Sequence, residues 1–424
     1  MAPRTTSGSG RRLPGSDAGR ERSGSWSPAQ RGVVVASFLG WMLDAFDFFL
    51  VVFVIQRIAG DFATDVTHVT YALFLTLAMR PVGAFVFGRL ADHYGRRPSL
   101  MASVLAYSVI ELASAFAPSL GVFLVLRALY GIAMGGEWGV GASLAIESVP
   151  VRSRGMVSGI LQGGYPTGYL LAAIVYGLAY PYIGWRGMLM IGVAPALLVL
   201  YIRFKVPESA AWTTERPPEG RGILASLKGH WLLAVYGIVL MTAFNFFSHG
   251  TQDLYPTFLH AERGLRPSVI SRIAILYNVG AILGGIVFGK LSGRIGRRAA
   301  IGLAALLALP ALPFWAYTHS VVAIALAAFA LQFMVQGAWG VVPAHLNELS
   351  PPDMRATFPG VVYQIGNLMA SYNATLQSII AVRHGGAAHP DYAFALCLVC
   401  GIVAPTLILL VAFGPERRDI VFAR

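Results

Sequence analysis

Long apolar runs separated by short polar breaks dominate the chain. A helix needs about 20 apolar residues to cross a bilayer core. Twelve runs near that length can be marked, at 33–55, 69–90, 99–117, 120–146, 155–178, 186–204, 231–259, 270–291, 299–317, 320–348, 356–380 and 391–413. The pattern predicts an all-α membrane protein of twelve transmembrane helices. The breaks alternate in character. Basic clusters (Arg4 to Arg31, Arg89–Arg97, Arg152–Arg154, Arg203–Lys228, Lys290–Arg298, Arg355 and Arg417–Arg424) fall in every second one. The others hold Asp61, Asp65, His68, Pro118, Tyr182, His319 and Asp391. Basic loops stay on the cytoplasmic side, so both termini are expected in the cytoplasm and the protein in the inner membrane of a cell.

The breaks also divide the chain. Residues 1–30, rich in Arg, Ser, Gly and Pro, read as a disordered cytoplasmic tail, and the run after them is too long for a signal-peptide core. Residues 31–205 form one six-helix bundle and 231–414 a second. Residues 206–230, with the helix breakers Pro207, Pro217, Pro218 and Gly220, form a cytoplasmic central loop. Residues 415–424 form a second cytoplasmic tail. The halves are repeats. Gly88-x-x-x-Asp92-x-x-Gly95-Arg96-Arg97 recurs as Gly289-x-x-x-Gly293-x-x-Gly296-Arg297-Arg298. Trp138 and Trp339, Glu147 and Glu348, Pro150 and Pro351, Arg154 and Arg355, and Gly159 and Gly360 keep the same offset of 201. A parallel repeat of this kind places a solute site between the two bundles near the midplane.

Composition closes off other classes. Of the residues, 56% are hydrophobic and 12% charged, with a mean hydropathy of +0.63. A soluble domain carries about 25% charge. The net charge of +12 sits in loop clusters rather than on one domain, which argues against a nucleic-acid partner. Cys397 and Cys400 lie in an apolar run and read as small buried hydrophobes rather than a redox or metal pair. There is no P-loop and no H-E-x-x-H, and no nucleophile–base pair stands out. No enzyme activity, metal or cofactor is expected.

Four motifs carry a resemblance. Gly88 to Arg97 resembles the loop 2–3 signature of the major facilitator superfamily, and Arg127-x-x-x-Gly131-x-x-x-Gly135 resembles a second signature of that family. Gly40-Trp-Met-Leu-Asp44-Ala-Phe-Asp47 resembles its sialate/lactate–proton symporter branch. The segment Asn245-Phe-Phe-Ser248-His249-Gly-Thr251-Gln252-Asp253-Leu-Tyr-Pro-Thr257 is similar to the monocarboxylate signature of lactate–proton symporters at every defined position. The likeness runs over roughly residues 31 to 414. It implies a carrier with a gate at Gly88, Asp92, Arg96 and Arg97; Glu147 with Arg152 or Arg154, and Glu348 with Arg355, are expected to form ion pairs at the same face, with Asp92 meeting a helix N-terminus or a basic residue of the other bundle. Gly293 stands where the first repeat has Asp92, so an acid contact in the gate is one-sided.

Ionisable residues inside the bilayer cost about 2.5–3.5 kcal/mol each on insertion scales and are kept where they face a cavity or a partner. Arg80, halfway along the second helix, offers a planar fork for a carboxylate; the resemblance also gives it a substrate role, and the alternative is an ion pair to the first helix. Asp44 and Asp47 share a helix face, so their mutual repulsion favours a proton on one of them. Glu137 and Asp253 are further candidates for carrying the proton. Asn245, Ser248, His249, Gln252 and Asp253 cover an arc of about 140° that must face protein or water, either as a solute lining or as a helix-packing network. Gln364, with Asn367, can close the site from the eleventh helix. Phe48, Phe49 and Phe53 read as packing residues.

The expected function is proton-coupled symport of a small organic anion, most simply a short monocarboxylate such as lactate or pyruvate, by alternating access. The alternatives are a sialate or other sugar-acid symporter, a drug–proton antiporter and a non-transporting membrane sensor. The expected partners are the anion, a proton and the lipid bilayer. One chain is expected to work as a monomer.

Overall fold

The computed structural model describes residues 26–214, 223–386 and 388–422. Twelve helical crossings follow the twelve apolar runs. We number them α1 (Pro28–Asp61), α2 (Val66–Tyr94), α3 (Arg96–Ala115), α4 (Leu120–Gly135 running into Glu137–Ser148) and α5 (Arg154–Gln162 running into Gly164–Ile191). At Gly184 the chain takes φ 64° and ψ −174°, a conformation open to glycine. There it turns back, so the part of Gly164–Ile191 after Gly184 belongs to α6, which continues in Pro195–Lys205. The second half holds α7 (Ile223–Gln252, then Tyr255–Ala261), α8 (Pro267–Ile295), α9 (Arg297–Tyr317), α10 (Val321–Trp339, then Val342–Leu349), α11 (Thr357–Ala370, then Asn373–Gly385) and α12 (Tyr392–Phe413).

Large apolar side chains cover the outside: Phe74, Leu178, Phe314 and Phe413 are all exposed. An apolar surface of this extent marks a membrane interaction. The protein is a multi-pass membrane protein with two six-helix pseudo-repeats.

Boundaries depart from expectation where local chemistry allows helix to extend. α1 starts at Pro28 rather than 33, because Ser27 and Gln30 form a capping box and Pro occupies the first helical position. The tail up to residue 25 lies outside the described residues, as do 215–222 of the central loop. The rest of that loop is structured: Ala210–Thr214 is helical, Ser209 and Ala211 are buried, and α7 begins at Ile223.

Both described chain ends lie on one face, here called the inner face. Contact between the bundles is tight in the inner half. A Cβ on Gly88 of α2 would lie 2.6 Å from the Thr357 Cα of α11, and one on Gly159 of α5 would lie 2.2 Å from the Gly285 carbonyl of α8. Toward the opposite, outer face the junction opens. The outer segment of α11, Asn373–Gly385, packs on α7 and α12 of its own bundle. His249, in the last turn before the break in α7, and Asp253, in that break, keep about a third of their side-chain surface free, 34% and 37%. The junction is thus closed at the inner face, while His249 and Asp253 above it stay partly accessible.

Candidate solute and coupling site

The N-terminal bundle holds the buried charges. Arg80 reaches Asp44 of α1 at 3.9 Å and lies 2.8 Å from the Met134 sulfur of α4, with Phe48 under its guanidinium at 5.4 Å. Its Nε has no partner, and neither Asp44 oxygen accepts a hydrogen bond. The pair is therefore a loose one for a buried site. Gly135 lets α4 press against the Arg80 backbone, where a Cβ would lie 2.1 Å from its carbonyl oxygen. Glu137 is buried beside Gly40 of α1, its carboxylate oxygens unpartnered, with Asp44 and Arg80 as its charged neighbours.

Asp47 does not stay beside Asp44. Residues three apart on a helix diverge by about 60°, and Asp47 points into the bundle toward Glu111 of α3 and Gly192. Glu111 in turn pairs with Arg127 at 2.7 Å, and Arg127 stacks over Tyr130 and donates to Ser114. Two acidic groups thus serve two surroundings, the junction and the bundle interior.

The polar arc of α7 also divides. One edge faces α11: His249 hydrogen-bonds Asp253 through Nδ1 and Asn367 through Nε2, each at 3.1 Å. The other edge faces α10. Gln336 donates to Ser248 at 2.9 Å, Gln252 donates to Gln332 at 2.9 Å, and Gln332 donates to Thr251 at 2.9 Å. Asn245 is turned onto its own helix, donating to the Met241 carbonyl. The arc thus meets α11 at one edge and forms a helix–helix network with α10 at the other; Ser248 and Gln252 belong to the network, and Asn245 to neither. Gln364 is buried with its Oε1 unpartnered. Asn367, one turn further along α11, is the residue that meets His249.

Below the charges lies an aromatic floor. Trp41 of α1 contacts Trp138 (6.4 Å between centroids), Tyr165 of α5 (5.5 Å) and Tyr363 of α11 (6.2 Å). Tyr363 also packs on Trp138 (4.5 Å) and Trp339 (5.7 Å). The Trp138–Trp339 repeat was the one sequence trace of this floor. Phe49 and Phe53 continue it outward along Tyr165, Tyr169 and Tyr176.

The inner gate follows the repeat. Arg96 holds Glu147 through two bonds (2.9 and 3.2 Å), and Arg297 holds Glu348 the same way (2.8 and 2.9 Å). Glu147 was expected to pair with Arg152 or Arg154, and Glu348 with Arg355. The α3 and α9 arginines reach these acids first, because the left-handed Gly95 (φ 112°) and Gly296 (φ 103°) turn them inward. Arg154 reaches Glu348 only at 3.9 Å, across the junction. Asp92 accepts from the amides of Ala356 and Thr357 and from the Thr357 hydroxyl (2.9, 3.1 and 2.6 Å), capping α11 of the other bundle. Arg97 is committed outside the gate, its amide to Glu208 and its side chain to the Arg203 carbonyl. Burial raises the Glu208 carboxyl above its ordinary range, against the pull of the amides it accepts from. Glu416 plays the matching part on the Arg297 amide.

The C-terminal segment is no loose tail. Phe422 is buried, with Arg154 stacked at 3.9 Å and Arg355 at 5.0 Å. Arg154 also donates to the Ile420 carbonyl at 2.6 Å, and Arg355 to the Phe422 carbonyl at 3.2 Å. Two arginines related by the repeat hold one aromatic ring, which is what draws this segment in.

Twelve crossings in two related bundles, closed at one face around a Gly-Arg-Arg turn, define a membrane carrier. The chain belongs to the Major Facilitator Superfamily, whose model matches residues 37–373 and 238–422. The chain is 30% identical to the sialic acid transporter NanX of Escherichia coli, covering 91% of this chain and 95% of that protein. It is 29% identical to a carboxylic acid transporter protein homolog of Saccharomyces cerevisiae, covering 90% and 68%. The niacin transporter NiaP of Acinetobacter baylyi is 25% identical over 90% and 92%. Among solved structures, the proton:xylose symporter XylE superposes with a TM-score of 0.71 at 17% identity, covering 93% of this chain and 98% of that one. The protein is a transporter, not an enzyme.

Proposed function

We propose that this carrier moves small organic anions bearing a carboxylate together with protons, and that its inner face is the cytoplasmic one, in an inner membrane. The basic clusters at that face support the orientation. The observation that carries the reading is Arg80: a guanidinium buried among Asp44, Met134 and Phe48 and only loosely paired, its Nε without a partner. A fork of donors in that setting fits a carboxylate and disfavours the cationic solutes of a drug antiporter. Relatives named for carboxylic acids, sialic acid and niacin support the anion class but spread widely within it. A short monocarboxylate such as lactate or pyruvate fits the α7 signature, and a sugar acid is the second reading, favoured by the 30% identity to NanX.

In this reading Asp44 and Arg80 pair in the empty carrier. A proton on Asp44 frees Arg80 for the anion, and the loaded site has the same net charge as the empty one. Rocking then buries no extra charge, while a half-loaded site carries a bare one and stalls. Uptake into proteoliposomes tests this. An acid exterior is expected to drive accumulation of a labelled acid, with lactate, pyruvate, acetate and sialate as competitors. Uptake indifferent to both the pH gradient and every carboxylate would overturn it.

A further inference from the structure

The carboxylate seat around Arg80 is incomplete as drawn from charges alone. A carboxylate offers about four acceptor positions, and Arg80 fills two at most. Two phenols stand beside it. Tyr165 bridges Trp41 and Phe49, each at 5.5 Å, and those two residues bracket Asp44 by about one turn on either side. Tyr363 touches Trp41, and it also packs on Trp138, one turn from the Met134 that contacts Arg80. Both tyrosines lie within electrostatic reach of Arg80 and Asp44. Neither hydroxyl has a hydrogen-bond partner among the described residues. The hydroxyls of Tyr107, Tyr130 and Tyr255 are also unpartnered, but these are sealed from solvent, which the Tyr165 and Tyr363 hydroxyls are not. Tyr165 and Tyr363 each therefore carry a phenol proton that no side chain or backbone group among the described residues holds.

We propose that Tyr165 and Tyr363 complete the anion seat, each donating its phenol proton to the carboxylate that Arg80 holds. This rests on the reading of the site as a carboxylate site. It assigns specificity to one tyrosine from each bundle, so the anion itself ties the halves together. Tyr363 does more than bind. Its ring is the C-terminal bundle's wedge between Trp41 and Trp138 of the N-terminal bundle, so the group that senses the carboxylate is also part of the floor that must part when the carrier turns inward.

The test uses the full chain in detergent, with labelled lactate, pyruvate and nicotinate as probes and the matching amides as carboxylate-free competitors. Tyr165→Phe and Tyr363→Phe keep the rings and remove only the hydroxyls; Tyr255→Phe, stacked on Trp315 far along α7, is the control. Loss of a hydrogen bond to a charged group is expected to weaken binding of the acid about 10- to 100-fold in each variant. The acid-over-amide preference should fall in parallel, with the melting temperature of the empty protein and the control unchanged. Acid binding at the wild-type level in both phenylalanine variants would overturn the proposal and leave the carboxylate reading standing. A wild-type protein that binds none of the acids, or binds amides equally well, would overturn that reading and the proposal with it. If a variant melts early, binding is measured at a temperature where that variant and wild type are both folded, and the same loss of acid preference is expected there.

Discussion

The two bundles share a fold but not a chemistry. At the offset of 201, Asp44 faces Asn245, Asp47 faces Ser248, Arg80 faces Ala281, Glu111 faces Leu312, Arg127 faces Ala328 and Glu137 faces Ala338. Each of these six buried charges of the N-terminal bundle has a neutral counterpart; the buried gate charges Arg96, Glu147 and Arg154 instead recur as Arg297, Glu348 and Arg355. The pairing of polar groups differs too. In the N-terminal bundle the oxygens of Asp44, Asp47 and Glu137 lack hydrogen-bond partners. In the C-terminal bundle Ser248, Thr251, Gln252, Gln332 and Gln336 satisfy one another. Unsatisfied buried groups are costly and persist where a ligand or proton completes them. In the proposed cycle the N-terminal bundle carries the exchangeable charge at Asp44 and Arg80, and the α7–α10 network of the C-terminal bundle is a neutral surface opposite it.

The largest break in this contrast comes from its cation. Arg80→Lys keeps the charge but not the fork. Carboxylate binding should fall about 100-fold, with normal amounts of protein in the membrane, as two charge-assisted hydrogen bonds at about 1.5–3 kcal/mol each are lost or reshaped. Equilibrium binding of a labelled acid measures it, and wild-type affinity would remove Arg80 from the site. Asp44→Asn comes next and makes the N-terminal bundle resemble its partner, where Asn245 holds that position. It mimics a permanently protonated carrier. Exchange of solute for solute should continue with little pH dependence, while accumulation against a gradient is lost. Counterflow and pH-driven uptake in the same vesicles separate the two. If the variant still concentrates solute, the proton rides on Glu137, His249 or Asp253.

The gate should show smaller effects. Asp92 has no acidic counterpart, since Gly293 occupies its position, so the α2–α11 crossing has an acid on a helix N-terminus where the α5–α8 crossing has glycine on glycine. Asp92→Asn loses the charge that three donors and Arg96 share. A loss of about 1–2 kcal/mol shifts the inward–outward balance roughly 5- to 30-fold, and transport should slow about tenfold while equilibrium binding changes little. Equal loss of both would indicate misfolding. Phe422→Ala should act in the same direction but only a few-fold, because it empties the ring position between Arg154 and Arg355 without touching the α11 cap.

The legibility of the molecule followed the same division. Crossings, repeat and buried charges could be read because apolar length and intramembrane charge are strong, local constraints. Arg80 beside Asp44 and Asp92 at a helix end were in reach for that reason. Orientation around a helix was harder. The α7 arc was visible as a whole, but its split between α10 and α11 depends on where two other helices stand. Gln332, Gln336 and Tyr165 carry no local mark, being ordinary residues until a neighbour arrives. Phe422 was missed because a charged, short C-terminal stretch looks solvated; only the meeting of Arg154 and Arg355, 201 residues apart, gives it a seat.

The smallest expected effect on transport tests the neutral half. Gln332→Leu removes the donor to Thr251 and the acceptor for Gln252 on the α10 edge of the arc. Intramembrane hydrogen bonds of this kind are worth about 0.6 kcal/mol on average and about 1.7 at most. The variant should therefore lower thermal stability slightly and leave acid affinity within about twofold of wild type. His249→Gln, on the opposite edge, is the matched contrast: it keeps an amide that can meet Asn367 but loses the contact with Asp253 that Nδ1 makes, so it should disturb transport more than stability. If Gln332→Leu instead weakened acid binding as much as His249→Gln, the arc would act as one solute lining. The division of labour between a charged, exchangeable bundle and a neutral, satisfied one would then fail at the helix where it is drawn most sharply.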